Sequence, residues 1–222
     1  MNINEIEKSV KDCVYLQDTM NTAVHPIWRG NNYNWKRAML VEYVEAIDHL
    51  NWKWWKHQEP NYYQAFIEMV DVFHFALSNV MESPLNFESD LSKKISEIAE
   101  QEYVPENKQQ AIVAIEHAIK CIYADNDSLD LIELTLEPIL ISHLFLGYTV
   151  SDFFKAYIGK NVLNLFRQAN GYKNGSYQKQ WGNYEDNVFL EQILNETEVV
   201  DKDVIFNKLQ EQYNHITVGS MQ

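Results

Sequence analysis

Two pairs of acids set inside apolar runs constrain this chain more than any other feature. Glu42 and Glu45 stand among Met39, Leu40, Val41, Val44, Ala46 and Ile47, and Glu68 and Asp71 among Ala65, Phe66, Ile67, Met69, Val70, Val72 and Phe73. Each pair is spaced i, i+3, which makes its members neighbours on one face of a helix. Carboxylates in such company are costly unless something positive compensates them. Gln58, Glu59, Pro60 and Asn61 read as a short turn between the runs. Helices joined that way lie antiparallel, so the pairs can face each other. Four oxygen donors meeting there suit Mg²⁺, or Mn²⁺. Two solvated helix faces with incidental acids are the competing explanation at this point.

The remaining periodicity is also helical. Apolar positions predict helices over 3–24, 35–57, 61–81, 88–102, 107–124 (with Pro105 at its start) and 128–147, the last preceded by a turn at Asp125–Asp127. A further helix runs from Ser151 to Asn170-Gly171, and His25-Pro26 closes the first. Strand signals are nearly absent. The expected fold is therefore all-α, a multi-helix bundle in which antiparallel helices carry the acids, within a single domain over 1–222. Its expected parts are a helical core over about 3–82, a middle helical section over 86–150, a cationic helix and loop over 151–186, and a polar tail over 187–222. One or two short helices are expected at 187–213, with fraying after His215.

Charge narrows the partners. The net charge is −14 and the pI about 4.8. A nucleic-acid polymer is a poor fit to such a surface, because phosphate backbones require a basic one. Cys13 and Cys121 are the two cysteines and form no ligand spacing, which points to a reduced, cytoplasmic protein. Glu5, Lys8 and Lys11 interrupt the start, so no signal peptide is expected. No apolar run approaches membrane-spanning length.

Against this acidity, Ser151–Asp186 gathers Lys155, Lys160, Arg167, Lys173 and Lys179. Lys160, Asn164 and Arg167 share one helix face, and a Gly-containing loop with Tyr172 and Lys179 follows. A cationic face with such a loop suits a polyphosphate that is gripped and then covered. Gln17 and Asn21, four apart beside an apolar stripe, can read the edge of a base. Trp52, Trp54 and Trp55 can pack as ballast or wall a flat ligand. His74 and Phe75 follow one turn after Asp71.

Together EYVEAIDHLNWKWWK, EMVDVFHF and KNVLNLFRQANGYKNGSYQKQW resemble the dimeric all-α dUTPases, within the all-α nucleoside triphosphate pyrophosphatases that include MazG-like enzymes. The resemblance spans roughly residues 15–182 and leaves the middle section unmatched. It implies a homodimeric dUTP diphosphatase, a hydrolase converting dUTP and dUDP to dUMP. Glu42, Glu45, Glu68 and Asp71 would hold Mg²⁺. Gln17 and Asn21 would hydrogen-bond uracil with Trp54 packing beside it. His74 and Phe75 would line the deoxyribose. Lys160, Asn164, Arg167, Tyr172 and Lys179 would grip the phosphates. Direct attack by water is expected, with Glu42 as base and Glu45 as ligand, or the reverse. A pyrophosphatase for another nucleotide such as dCTP, or a catalytically silent nucleotide-binding protein, is the alternative.

Overall fold

Asparagine caps start the first three helices. Asn2 accepts from the Glu5 amide while the Glu5 carboxylate accepts from the Asn2 amide, opening α1 (Ile3–Val24). This reciprocal cap satisfies two donors that a helix start leaves open. Asn34 and Asn61 accept from the third helical amide in the same way, opening α2 (Trp35–His49) and α3 (Tyr62–Met81). The computed structural model describes residues 1–103, 109–123, 130–197 and 201–219, with side chains through 215.

The helix expected over 35–57 stops at His49. Leu50 is extended, and Asp48 gathers the residues beyond it. Its carboxylate pairs with Lys53 and lies 3.4 Å from Trp52 Nε1, and its carbonyl accepts from the Gln58 amide. Three tryptophans and two lysines offer no single apolar side to bury. Local side-chain bonds therefore compete successfully with helix continuation. The connecting segment returns directly, with the Asn61 amide donating to the His49 carbonyl at 2.8 Å.

The long helix α3 is buried along nearly its whole length and packs extensively on α2. Against it lie α1, α6 (Leu131–Ile141) and α7 (Val150–Ala169), while α4 (Glu88–Ala99) packs on α1 and α6, and α5 (Ala111–Ile122) on α2 and α6. A π turn, Ser142–Leu146, prolongs α6 to Gly147. Gly147 has φ +84°, and any Cβ there would sit 2.9 Å from the Tyr103 ring. Pro105 and the Asp125–Asp127 turn lie outside the described residues.

The stretch beyond 187, expected as a polar tail with one or two short helices, forms two helices over its described residues and contributes to a second core. A small antiparallel hairpin, β1 (Gln180–Trp181) and β2 (Tyr184–Glu185), leads into α8 (Asp186–Glu196) and then α9 (Lys202–Gly219). Val162, Leu163 and Phe166 of α7, Trp181 of β1, Leu190, Ile193 and Leu194 of α8, and Ile205 and Leu209 of α9 bury together. Apolar positions four apart on both terminal helices form the stripe that makes this possible. The architecture is an all-α bundle in which α7 serves both cores.

Candidate active site

The turn after α2 and the caps of α2 and α3 bring the two acidic pairs to one wall of a cavity of about 810 Å³. Carboxylate oxygens of Glu42, Glu68 and Asp71 lie within 4.8 Å of one another. Burial, then the neighbouring charges of Asp71, Glu68 and Glu45, push the Glu42 carboxyl up to about 8, against the pull of Lys160. Glu45 is raised as well, by burial and then by Glu68 and Asp71, with Lys179 and His49 opposing. His49 Nε2 stands 3.4 Å from Glu68. This is a site with too much negative charge for the cations it contains, and its hard oxygen donors suit a divalent ion.

The opposite wall comes from the C-terminal half of α7 and the segment behind it. Lys160, 3% exposed, places Nζ 2.7 Å from Asp71 Oδ2 and 3.2 Å from Asn187 Oδ1. Arg167 forms a two-pronged bond to the fully buried Asp186, with Nε and Nη2 each at 2.8 Å, and its Nη1 donates to Asn164. Those three bonds leave two of the five guanidinium N–H donors for a ligand. Burial alone would raise the Asp186 carboxyl, but the Arg167 fork and the Tyr177 hydroxyl outweigh it and hold the group below its ordinary range. Lys179 lies over the Tyr172 ring, 5.6 Å from its centroid.

At the end nearest α1, an amide cluster is built from three helices. Gln17 Nε2 donates to Asn21 Oδ1 at 3.0 Å and to Ser78 Oγ at 2.9 Å. Asn21 Nδ2 donates to the same Oγ at 3.0 Å, and Ser78 donates to the His74 carbonyl at 2.8 Å. Gln17 Oε1 lies 2.7 Å from His74 Nδ1 and 2.8 Å from the Tyr157 hydroxyl, whose ring stacks on His74. Burial lowers the His74 imidazole to about 4, so it is neutral near pH 7.

Of the residues to which the family resemblance gives a role, all but Trp54 line this cavity: Gln17, Asn21, Glu42, Glu45, Glu68, Asp71, His74, Phe75, Lys160, Asn164, Arg167, Tyr172 and Lys179; Trp52, Trp55, Lys155 and Lys173 lie outside its lining. Trp54 stands on the turn after α2, 90% exposed and outside the lining. Sequence reasoning did not reach Ser78, Tyr157, His49, Asp186 or Asn187. Ser78 had a usable signal, since it sits one turn after His74 on the same helix face. Asp186 had none, because its partner lies across the Gly171–Tyr184 loop.

Among curated proteins, no match is found for this chain. A family model described as dUTPase matches residues 9–172, which takes in most of α1, all of α2 through α7, and most of the cavity lining.

Proposed function

Because the chain belongs to the dUTPase family, we propose that it hydrolyses dUTP, and dUDP, to dUMP with release of pyrophosphate or phosphate. One observation carries this reading. A single cavity joins an under-compensated acid cluster, a cationic wall and a buried amide cluster, the three chemistries that metal-assisted attack on a nucleoside polyphosphate needs.

Glu42, Glu45, Glu68 and Asp71 would hold Mg²⁺, or Mn²⁺. When bound, the ion supplies Lewis acidity and neutralises phosphate charge. Glu42 accepts the proton of the attacking water while Glu45 serves as ligand; the reverse division of labour uses the same two groups. Lys160 and Arg167 carry the charge that develops on the leaving phosphates, and Asn164, Tyr172 and Lys179 position them. Gln17 and Asn21 form the base-reading end, Asn21 by facing the base and Gln17 by orienting Asn21. His74 and Phe75 border the sugar, where Phe75 leaves no room for a 2′-hydroxyl.

Trp54 stands outside the cavity of its own chain and would pack beside the base of the second subunit. The working form in this proposal is a homodimer. The exposed Val41 and Val44 of α2, and the exposed Trp52, Trp54 and Trp55 that follow it in the chain, supply apolar surface for the second subunit. Both cysteines are free, which fits a reducing, cytoplasmic setting. Among the described residues no helix is long and apolar enough to cross a membrane.

The test is a product assay on dUTP, dUDP, dCTP, dTTP and UTP, with and without Mg²⁺. Mg²⁺-dependent release of dUMP in preference to the other products is expected. Preferential turnover of dCTP would replace the uracil assignment, and absence of turnover on every nucleotide would leave a binding protein.

A further inference from the structure

The structure assigns Ser78 as the positioning residue that makes the site read uracil rather than cytosine, acting through Gln17 and Asn21. This inference rests on the dUTPase reading above and adds the device that selects the base.

Ser78 is fully buried on α3, and its hydroxyl has one hydrogen to give. That hydrogen goes to the His74 carbonyl, 2.8 Å away and one turn back along the helix. Toward its other two neighbours, Gln17 at 2.9 Å and Asn21 at 3.0 Å, Oγ is therefore an acceptor only. Both amides must turn their NH₂ groups to it. A reversed Gln17 would set Oε1 against Ser78 Oγ and Asn21 Oδ1 with no hydrogen between them, and unmatched buried acceptors are costly.

The far side of the amide agrees. Gln17 Oε1 lies 2.8 Å from the Tyr157 hydroxyl and 2.7 Å from His74 Nδ1, but the hydroxyl also lies 3.1 Å from the Cys13 carbonyl and the imidazole has two tautomers, so this side follows the orientation that Ser78 sets rather than fixing it. Both N–H groups and both lone pairs of the Gln17 amide are thus used within the protein. Gln17 has nothing left for a base and acts by orienting its neighbour. Asn21 spends one lone pair on Gln17 and one N–H on Ser78, so it keeps one donor and one acceptor in fixed positions. Both residues line the cavity.

Held one way, such an amide matches the O4 acceptor and N3–H donor of uracil. Cytosine presents a 4-amino donor and an N3 acceptor at those same two places. It would pair only if Asn21 turned over, and Ser78 forbids that turn. With the Ser78 hydroxyl removed, both amides can reverse together and the cytosine arrangement opens.

The experiment compares kcat and KM for dUTP and dCTP in the full-length wild type, Ser78→Ala and Tyr157→Phe. Ser78→Ala should lower the dUTP-to-dCTP ratio of kcat/KM by at least about tenfold, with kcat for dUTP within a few-fold of wild type. Tyr157→Phe removes a hydroxyl from the same cluster but keeps the Ser78 acceptor, and should hold the ratio near the wild-type value. An unchanged ratio in Ser78→Ala, or an equal loss on both nucleotides, overturns the inference while leaving the enzyme a dUTPase. Equal relaxation in Tyr157→Phe also overturns it, since general loosening would then explain the effect. A wild type without preference for dUTP removes the functional reading itself, and the inference with it.

Discussion

Replacing Glu42 by Gln should stabilise the metal-free protein while removing its activity. The carboxyl rises from 4.5 to about 8, first through burial and then through Asp71, Glu68 and Glu45. A group that binds its proton more tightly when folded lends stability at low pH and loses it as pH rises through the folded value. The window here is pH 4.5 to about 8. At 1.36 kcal/mol per pH unit, keeping Glu42 ionised above that window costs at most about 5 kcal/mol. Glu42 is partly open to solvent, which reduces the figure to about 2–3 kcal/mol. Lys160 keeps its pairing with Asp71 in the variant, so no cation is stranded. The assay is thermal unfolding in chelator from pH 5 to 9.5. The two proteins should melt together near pH 5. By pH 9 the variant should melt higher by about 5–10 °C. Added Mg²⁺ should raise the wild type and leave the variant almost unmoved. Coincident melting curves at pH 9 would refute the idea that the acids form one electrostatically strained cluster.

Other perturbations probe the remaining walls. Glu68→Gln should lower kcat for dUTP by about a hundredfold or more without loss of helicity by circular dichroism. Asp186→Ala strands the Arg167 guanidinium in a buried place and should cost about 3–5 kcal/mol in urea unfolding; a loss below about 1 kcal/mol would show that the fork is replaceable. Burial lowers His74 from 6.5 to about 4, so its contribution is complete above pH 6.5 and is lost as pH falls toward 4. The stability of His74→Gln should fall less steeply across that interval than that of the wild type.

The acids were legible because an ionisable pair in an apolar run is a local anomaly, visible without knowing the fold. The cationic wall was legible for a similar reason, as a basic block in an acidic chain. The end of α2 was not, since it depends on Asp48 capturing Trp52, Lys53 and Gln58. Nor was the second core: α8 and α9 are weakly apolar, and the case for them depends on Trp181 and on the face α7 turns toward them. Ser78 and Tyr157 become meaningful only once α1, α3 and α7 meet, because hydrogen-bond direction is a tertiary property. Arg167 was found, but its engagement by Asp186 was not, and that engagement decides how much of it remains for substrate.

One long rod, α7, threads both cores and carries Lys160 where they adjoin. The acids belong to the first core, while Asp186 and Asn187, which brace the cations, arrive with the second. Damage confined to the last forty residues could therefore silence chemistry occurring far upstream, with the carboxylates themselves untouched. Truncations of that segment would strip the braces from Lys160 and Arg167 and bare the face of α7 that it covers, and a search for lesions limited to the acidic motifs would overlook them.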